Sequence, residues 1–120
     1  SKLLNRKITM LHSYKKYVKY RIKTPLPSYR QFPCVTPNFD NASRRMHKGF
    51  TAFIGSTPQL YGKWLSSVFE KFKPYSQEEN FIFINAWNEW AEGNHLEPDQ
   101  KWGRKYLEET KKNIDQYKKR

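Results

Sequence analysis

One cysteine, Cys34, in a chain of 120 residues excludes an internal disulfide and any zinc site built on cysteines. Long apolar runs are also missing. The longest, Phe81-Ile82-Phe83-Ile84, falls far short of the ~20 residues a membrane-spanning helix needs. Acidic side chains are few, 11 against 23 Lys and Arg, for a formal net charge of +12. No secretory signal, internal repeat or low-complexity segment is visible, and the chain opens on Ser1 rather than Met, so preceding sequence is expected. Aromatic surface is plentiful: four Trp, eight Tyr and eight Phe. With 37% hydrophobic residues there is enough apolar surface for a core, which excludes a disordered basic tail. The length suits one small domain or one piece of a larger one.

The positive charge is unevenly placed. Residues 1–23 carry eight basic and no acidic side chains, residues 24–100 carry seven basic and eight acidic, and residues 101–120 carry eight basic and three acidic. A reader of single-stranded nucleic acid interleaves its cations with the aromatics that stack on bases. Here cations and aromatics are separated, and Lys outnumbers Arg in both terminal segments, although bidentate phosphate recognition favours Arg. The terminal lysines therefore read as solvated helix faces, with a basic binding module for nucleic acid or anionic polymer as the alternative.

Periodicity predicts helix, strand, helix, strand, helix. Ile8, Leu11, Tyr14, Val18 and Ile22 recur at steps of three and four, a helical spacing. Thr24-Pro25-Leu26-Pro27-Ser28 then ends it as a connector. Phe32–Thr36 suits a brief strand, Asn38–Gly49 a polar loop, and Phe50–Ile54 a second short extended piece. Thr57-Pro58 opens a helix whose face is Leu60, Trp64, Leu65, Val68, Phe69 and Phe72, and Pro74 ends it. Asn80–Ala86 has the continuous apolar stretch of a strand covered on both faces. Trp102, Tyr106, Leu107, Thr110, Ile114 and Tyr117 trace one face of a closing helix. Such alternation implies an α/β fold with a parallel sheet and helices outside. So few strands leave an apolar edge, so the chain is expected to be the C-terminal portion of a larger α/β protein. Within one segment the divisions are 1–24 (basic helix and connector), 25–74 (strand, loop and helix) and 75–120 (strand, acidic motif loop and C-terminal helix).

The loop after the apolar strand is dense in functional groups: Trp87-Asn88-Glu89-Trp90-Ala91-Glu92-Gly93-Asn94-His95-Leu96-Glu97. In parallel α/β architectures, sites assemble at the C-terminal strand ends. Glu89 and Glu92, three residues apart, stand about 5–6 Å apart at Cβ if the backbone turns helically. That approaches the ~5–5.5 Å carboxyl separation of retaining glycoside hydrolysis. Mutual repulsion is expected to raise the pKa of one of them, leaving an acid beside a base. Trp87 and Trp90 offer flat faces for the C–H side of a sugar, and Asn88, Asn94 and His95 suit its hydroxyls. Equally, the glutamates suit solvated acids or partners of Arg44 and Arg45, and the tryptophans suit a core. His95, Glu97 and Asp99 make a weak metal-ligand set, and no metal is expected. Asp40 and Asn41, after the earlier strand, either reach sugar hydroxyls or form an Asx turn. Arg44 meets a phosphate or balances the carboxylates.

These residues carry a resemblance. The stretches Phe32-Pro33-Cys34-Val35, Pro37-Asn38-Phe39-Asp40-Asn41, Thr57-Pro58 with Leu60-Tyr61 and Trp64-Leu65, and above all Phe83–Gly93 continuing through Leu96-Glu97-Pro98-Asp99, resemble the C-terminal part of the WbsX-like family. That family comprises glycosyltransferases of bacterial surface-polysaccharide gene clusters. Phe39 stands where the family usually has Trp, keeping a stacking face but losing an N–H donor. The family is in turn similar to endo-α-mannosidase-like glycoside hydrolases.

The resemblance implies a (β/α)8 (TIM-like) barrel, incomplete here, with this chain as its last two βα units preceded by one helix. It implies a carbohydrate-active enzyme acting on glycosidic bonds, linked to lipopolysaccharide or O-antigen biosynthesis. Glu89 would be the base on the substrate's 2-hydroxyl and Glu92 the general acid/base. Asp40, Asn41, Arg44, Trp87, Asn88, Trp90, His95 and Glu97 would bind substrate. No cofactor is demanded. The expected partners are a saccharide or glycan, a nucleotide-sugar or lipid-linked glycan among them, and the rest of the barrel. Nucleic acid is not expected. A cytoplasmic bacterial location follows from the family's role. Alone, the chain is expected to be inactive, as a fragment or a truncated gene remnant.

Overall fold

A computed structural model describes residues 8–45 and 48–120. Lys2, Arg6 and Lys7 of the basic N-terminal segment, and two residues of the polar loop, Met46 and His47, lie outside the described residues.

The order is β1 (Met10–Ser13), α1 (Tyr14–Lys23), β2 (Cys34–Val35), α2 (Ala42–Arg45), β3 (Thr51–Ile54), α3 (Pro58–Lys71), β4 (Phe83–Ile84), β5 (Asn88–Glu89), a 3₁₀ turn (Trp90–Glu92), β6 (Asn94–His95) and α4 (Lys105–Lys118). The predicted N-terminal helix begins later than its periodicity suggested. Met10–Ser13 is extended and pairs in parallel with β3, Met10 opposite Thr51 and Ser13 opposite Ile54. The helix starts only where Ser13 caps it, accepting from the Lys16 amide at 3.2 Å. Ile8 and Leu11 are exposed, and only Tyr14 and Val18 of the predicted face are buried. Apolar residues spaced three apart fit either element when the segment is short, and the cap decides between them. Among the described residues a strand thus precedes α1 too, where the sequence suggested a lone helix.

The strands do not make one sheet. β1 pairs with β3 and β2 with β4, both parallel, while β5 and β6 form an antiparallel hairpin. The hairpin occupies what the sequence suggested was plain loop. Nor is β4 covered on both faces: Phe81 and Phe83 are about half exposed. Nothing among the described residues lies over them except their aromatic neighbours, Phe32 among them.

The core sits where α3 meets α1, α4 and the strands. Tyr14, Val18, Val35, Tyr61, Trp64, Leu65, Val68, Leu96 and Tyr106 form one buried cluster. Thr57 caps α3 through its hydroxyl, which accepts from the Leu60 amide at 3.2 Å, and Pro58 fills the first turn, where no amide proton is needed. Tyr61, outside the predicted face of α3, is fully buried and hydrogen-bonds Thr110 of α4 at 2.7 Å. On α4, the inward residue after Tyr106 is Asn113 rather than Ile114. Its side-chain amide donates to the carbonyls of Glu109 and Gly62. A Cβ at Gly62 would meet the Glu109 carboxylate, the far end of a flexible side chain that would have to turn aside. Lys71, at the end of α3, donates to the carbonyls of Arg21, Ile22 and Thr24, satisfying the C-terminal end of α1.

Candidate active site

Beyond β4 the chain enters the hairpin, with Asn88 opposite His95 and Glu89 opposite Asn94. The 3₁₀ turn links the two strands and ends at Gly93, whose φ of 55° is left-handed and suits glycine. This turn carries Glu92 beside Glu89. Asn94 anchors the hairpin from below: it is fully buried, and its side-chain oxygen accepts from the Ala86 amide at 3.0 Å. Its expected contact with sugar hydroxyls is therefore excluded by burial.

Arg44 reaches across from α2. One terminal nitrogen donates to Glu89 Oε1 at 2.9 Å and the other to Glu92 Oε1 at 3.0 Å. A single guanidinium thus joins the two carboxylates, and the repulsion expected between them is offset by the cation lying between. The loop bearing Arg44 is tied to the hairpin through its backbone, the Asp40 amide donating to the Glu92 carbonyl at 2.6 Å. The three charged groups are partly open to solvent, so their mutual attraction contributes about 1 kcal/mol or less to stability. The arrangement positions the carboxylates more than it stabilises the fold.

Asp40 and Asn41 take structural duties. Asp40 Oδ1 accepts from the Ala42 amide at 2.9 Å, the Asx turn weighed from sequence, and Asn41 Oδ1 accepts from the Thr51 amide at 2.8 Å. Those two oxygens already have partners, and the expected hydroxyl contacts do not rest on them.

Trp87 and Trp90 are not core. They are 54% and 49% exposed, flanking the carboxylates on the outer side of the hairpin, where Asn88 is exposed too. Trp90 is held in place. Its indole N–H donates to Glu97 Oε1 at 2.9 Å, and its ring stacks on His95 with centroids 3.6 Å apart and planes inclined by 14°. His95 Nδ1 lies 3.0 Å from the Glu97 carbonyl, which can only accept, so Nδ1 carries the proton. His95 and Glu97, expected to bind substrate, hold the Trp90 ring in place.

Behind the hairpin is a cavity of about 220 Å³. Asn38, Ser56, His95, Asp99, Trp102 and Tyr106 contribute to its wall. Apart from His95 and Asp99, none of these was singled out as a site residue. They come from three segments far apart in the chain, and no local spacing could have joined them.

The family described as Glycosyltransferase WbsX matches residues 1–110. This chain belongs to the WbsX glycosyltransferase family. Two relatives, both named "Uncharacterized protein WxcX" and both from Xanthomonas campestris pv. campestris (strains B100 and ATCC 33913), are 40% identical to it over 88 residues. That alignment covers 72% of this chain but 12% of each relative, so this WbsX-family chain spans about an eighth of their length. No solved structure matches it. Among the described residues of this WbsX-family chain, no helix is long and apolar enough to cross a membrane.

Proposed function

We propose that this chain carries the acid/base pair of a carbohydrate-active enzyme that makes or cleaves glycosidic bonds in bacterial surface-polysaccharide (lipopolysaccharide or O-antigen) biosynthesis, in the cytoplasm. The observation that carries this reading is the joining of Glu89 and Glu92 by Arg44 beside two exposed tryptophans, one of them, Trp90, held in place. A carboxylate bound to a guanidinium is not yet a proton donor. Substrate entering over Trp87 and Trp90 would displace Arg44 from Glu92, which then serves as general acid/base, while Glu89 acts on the neighbouring hydroxyl. Arg44 is left to meet an anionic group such as the phosphate of a nucleotide-sugar or lipid-linked glycan. No cofactor enters this scheme.

We further read the fold as the C-terminal portion of a (β/α)8 barrel. Supporting this are the strand-then-helix order, two parallel strand pairs, and the exposed Phe81 and Phe83 at the β4 face. Two-stranded pairs are marginal by themselves. The remaining strands would come from the N-terminal part of a longer chain, without which turnover is not expected.

The test is Glu92→Gln in the longer WbsX-family protein. Turnover should fall about 100-fold or more while the melting temperature stays nearly unchanged. Undiminished turnover would remove the assignment.

A further inference from the structure

The wall of the cavity includes one acceptor without a donor and another with lone pairs to spare. Asn38 Oδ1 is shielded from solvent and has no hydrogen-bond partner among the described residues. Ser56 Oγ donates its one proton to the Pro37 carbonyl, so the contact at 2.7 Å between Ser56 and Tyr106 must be donated by Tyr106. The lone pairs of Tyr106 Oη are then left to accept. Burial pushes the Tyr106 phenol up, which keeps that proton in place. His95 Nε2 lies 3.8 Å from Asp99 Oδ2. Asp99 Oδ1 already accepts from the Trp102 amide. Among the described residues Lys101 is the one Lys or Arg on the wall, and its ammonium lies over the Trp102 ring, 5.2 Å from its centroid.

Such a lining selects for hydroxyl donors. An anion would meet the Asp99 carboxylate, Asn38 Oδ1 and the Tyr106 Oη lone pairs, whereas a polyol supplies O–H groups to both neutral acceptors. At about 220 Å³ the space is smaller than the ~300–1,000 Å³ of sites for drug-sized ligands, matching one small ring. Phe53 and Trp102 give it flat apolar walls, and Gly93, the residue after Glu92, borders it.

We propose that this cavity is a second saccharide subsite, holding one neutral pyranose through hydroxyls donated to Asn38 Oδ1 and Tyr106 Oη. His95, which stacks on Trp90, also lines this cavity, so the two surfaces are neighbours that one glycan could touch together. The proposal rests on the saccharide reading above.

The test is a titration of the ¹⁵N-labelled chain with methyl glucoside, methyl galactoside, methyl mannoside, maltose and inorganic phosphate, following the indole N–H signals of Trp64, Trp87, Trp90 and Trp102. At least one sugar should shift Trp102 saturably, with buried Trp64 unmoved as the reporter of folding. Asn38→Leu and Tyr106→Phe should each weaken that response about tenfold. If either variant loses the Trp64 signal, the other decides. Sugar shifts confined to Trp87 and Trp90 would overturn the subsite while sparing the saccharide reading. No sugar shift at any tryptophan would overturn both. A response of Trp102 to phosphate alone, or one unchanged in both folded variants, would also overturn the subsite.

Discussion

The imidazole of His95 lies flat beneath the indole of Trp90, and Glu97 grips the edge of both rings, through its carboxylate on Trp90 and its carbonyl on His95. An exposed tryptophan usually samples several rotamers, and each lost on binding costs free energy. Here the ring is ordered before any ligand arrives, at the edge of the paired carboxylates.

Replacing His95 by Ala should therefore free the Trp90 ring without unfolding the chain. The Trp90 indole N–H signal should move toward its solvent-exposed position, and any sugar-induced shift at Trp90 should weaken severalfold. His95→Phe, which keeps a flat partner, should restore much of it. An H95A spectrum identical to that of the parent would show that the stack does not orient the indole.

Gly93 turns the hairpin in a left-handed conformation, and a Cβ there would lie 3.2 Å from the Asp40 Cβ. Gly93→Ala should destabilise the chain by about 1–2 kcal/mol, through backbone strain and pressure on the Asp40 loop. Chemical denaturation would measure it, and amide signals of Asp40 and Glu92 should move most, since those residues share a backbone hydrogen bond.

Alkali should weaken the core. Burial raises the Tyr14 phenol well above its usual range and pushes Tyr61 up from 10.0 to about 12. The folded chain therefore keeps a proton that the unfolded chain releases near pH 10. The stability tied to Tyr61 is complete below pH 10 and is lost as pH rises toward about 12. Thermal melts from pH 8 to 12 should show this fall. Tyr61→Phe should shallow it, while lowering stability at neutral pH by about 1 kcal/mol through loss of the Thr110 hydrogen bond.

Helix α1, which packs against α3 through Tyr14 and Val18, carries the exposed Lys15, Lys16, Lys19 and Lys23 and the half-buried Arg21, with no acidic residue. If these are solvated, a DNA duplex should bind only weakly at physiological salt, and the Glu89/Glu92 double substitution to Gln should not affect that background. Tight, steeply salt-dependent DNA binding that survives loss of both glutamates would favour a basic binding module over the enzyme.

The site motif was legible because its chemistry is local. Two glutamates, two tryptophans and a glycine lie within seven residues, and any turn compact enough to join β5 to β6 brings the two carboxylates together. The capped α3 was legible for a similar reason, since Thr57-Pro58 and the apolar spacing agree. The start of α1 was not: Ile8 and Leu11 mimic helical spacing, but pairing with β3, forty residues on, holds Met10–Ser13 extended.

Local sequence determined which groups carry acid, base and stacking character, and where helices α3 and α4 run, because those properties depend on neighbours within one or two turns. Only the tertiary structure decided what each group does. It brought Arg44 from α2 between the glutamates, turned His95 and Glu97 into supports for Trp90, buried Asn94, and lined a cavity from three separate segments. Those outcomes depend on hydrogen bonds and packing between segments tens of residues apart, whose pairing is set by how the whole chain buries its apolar surface rather than by any spacing along it.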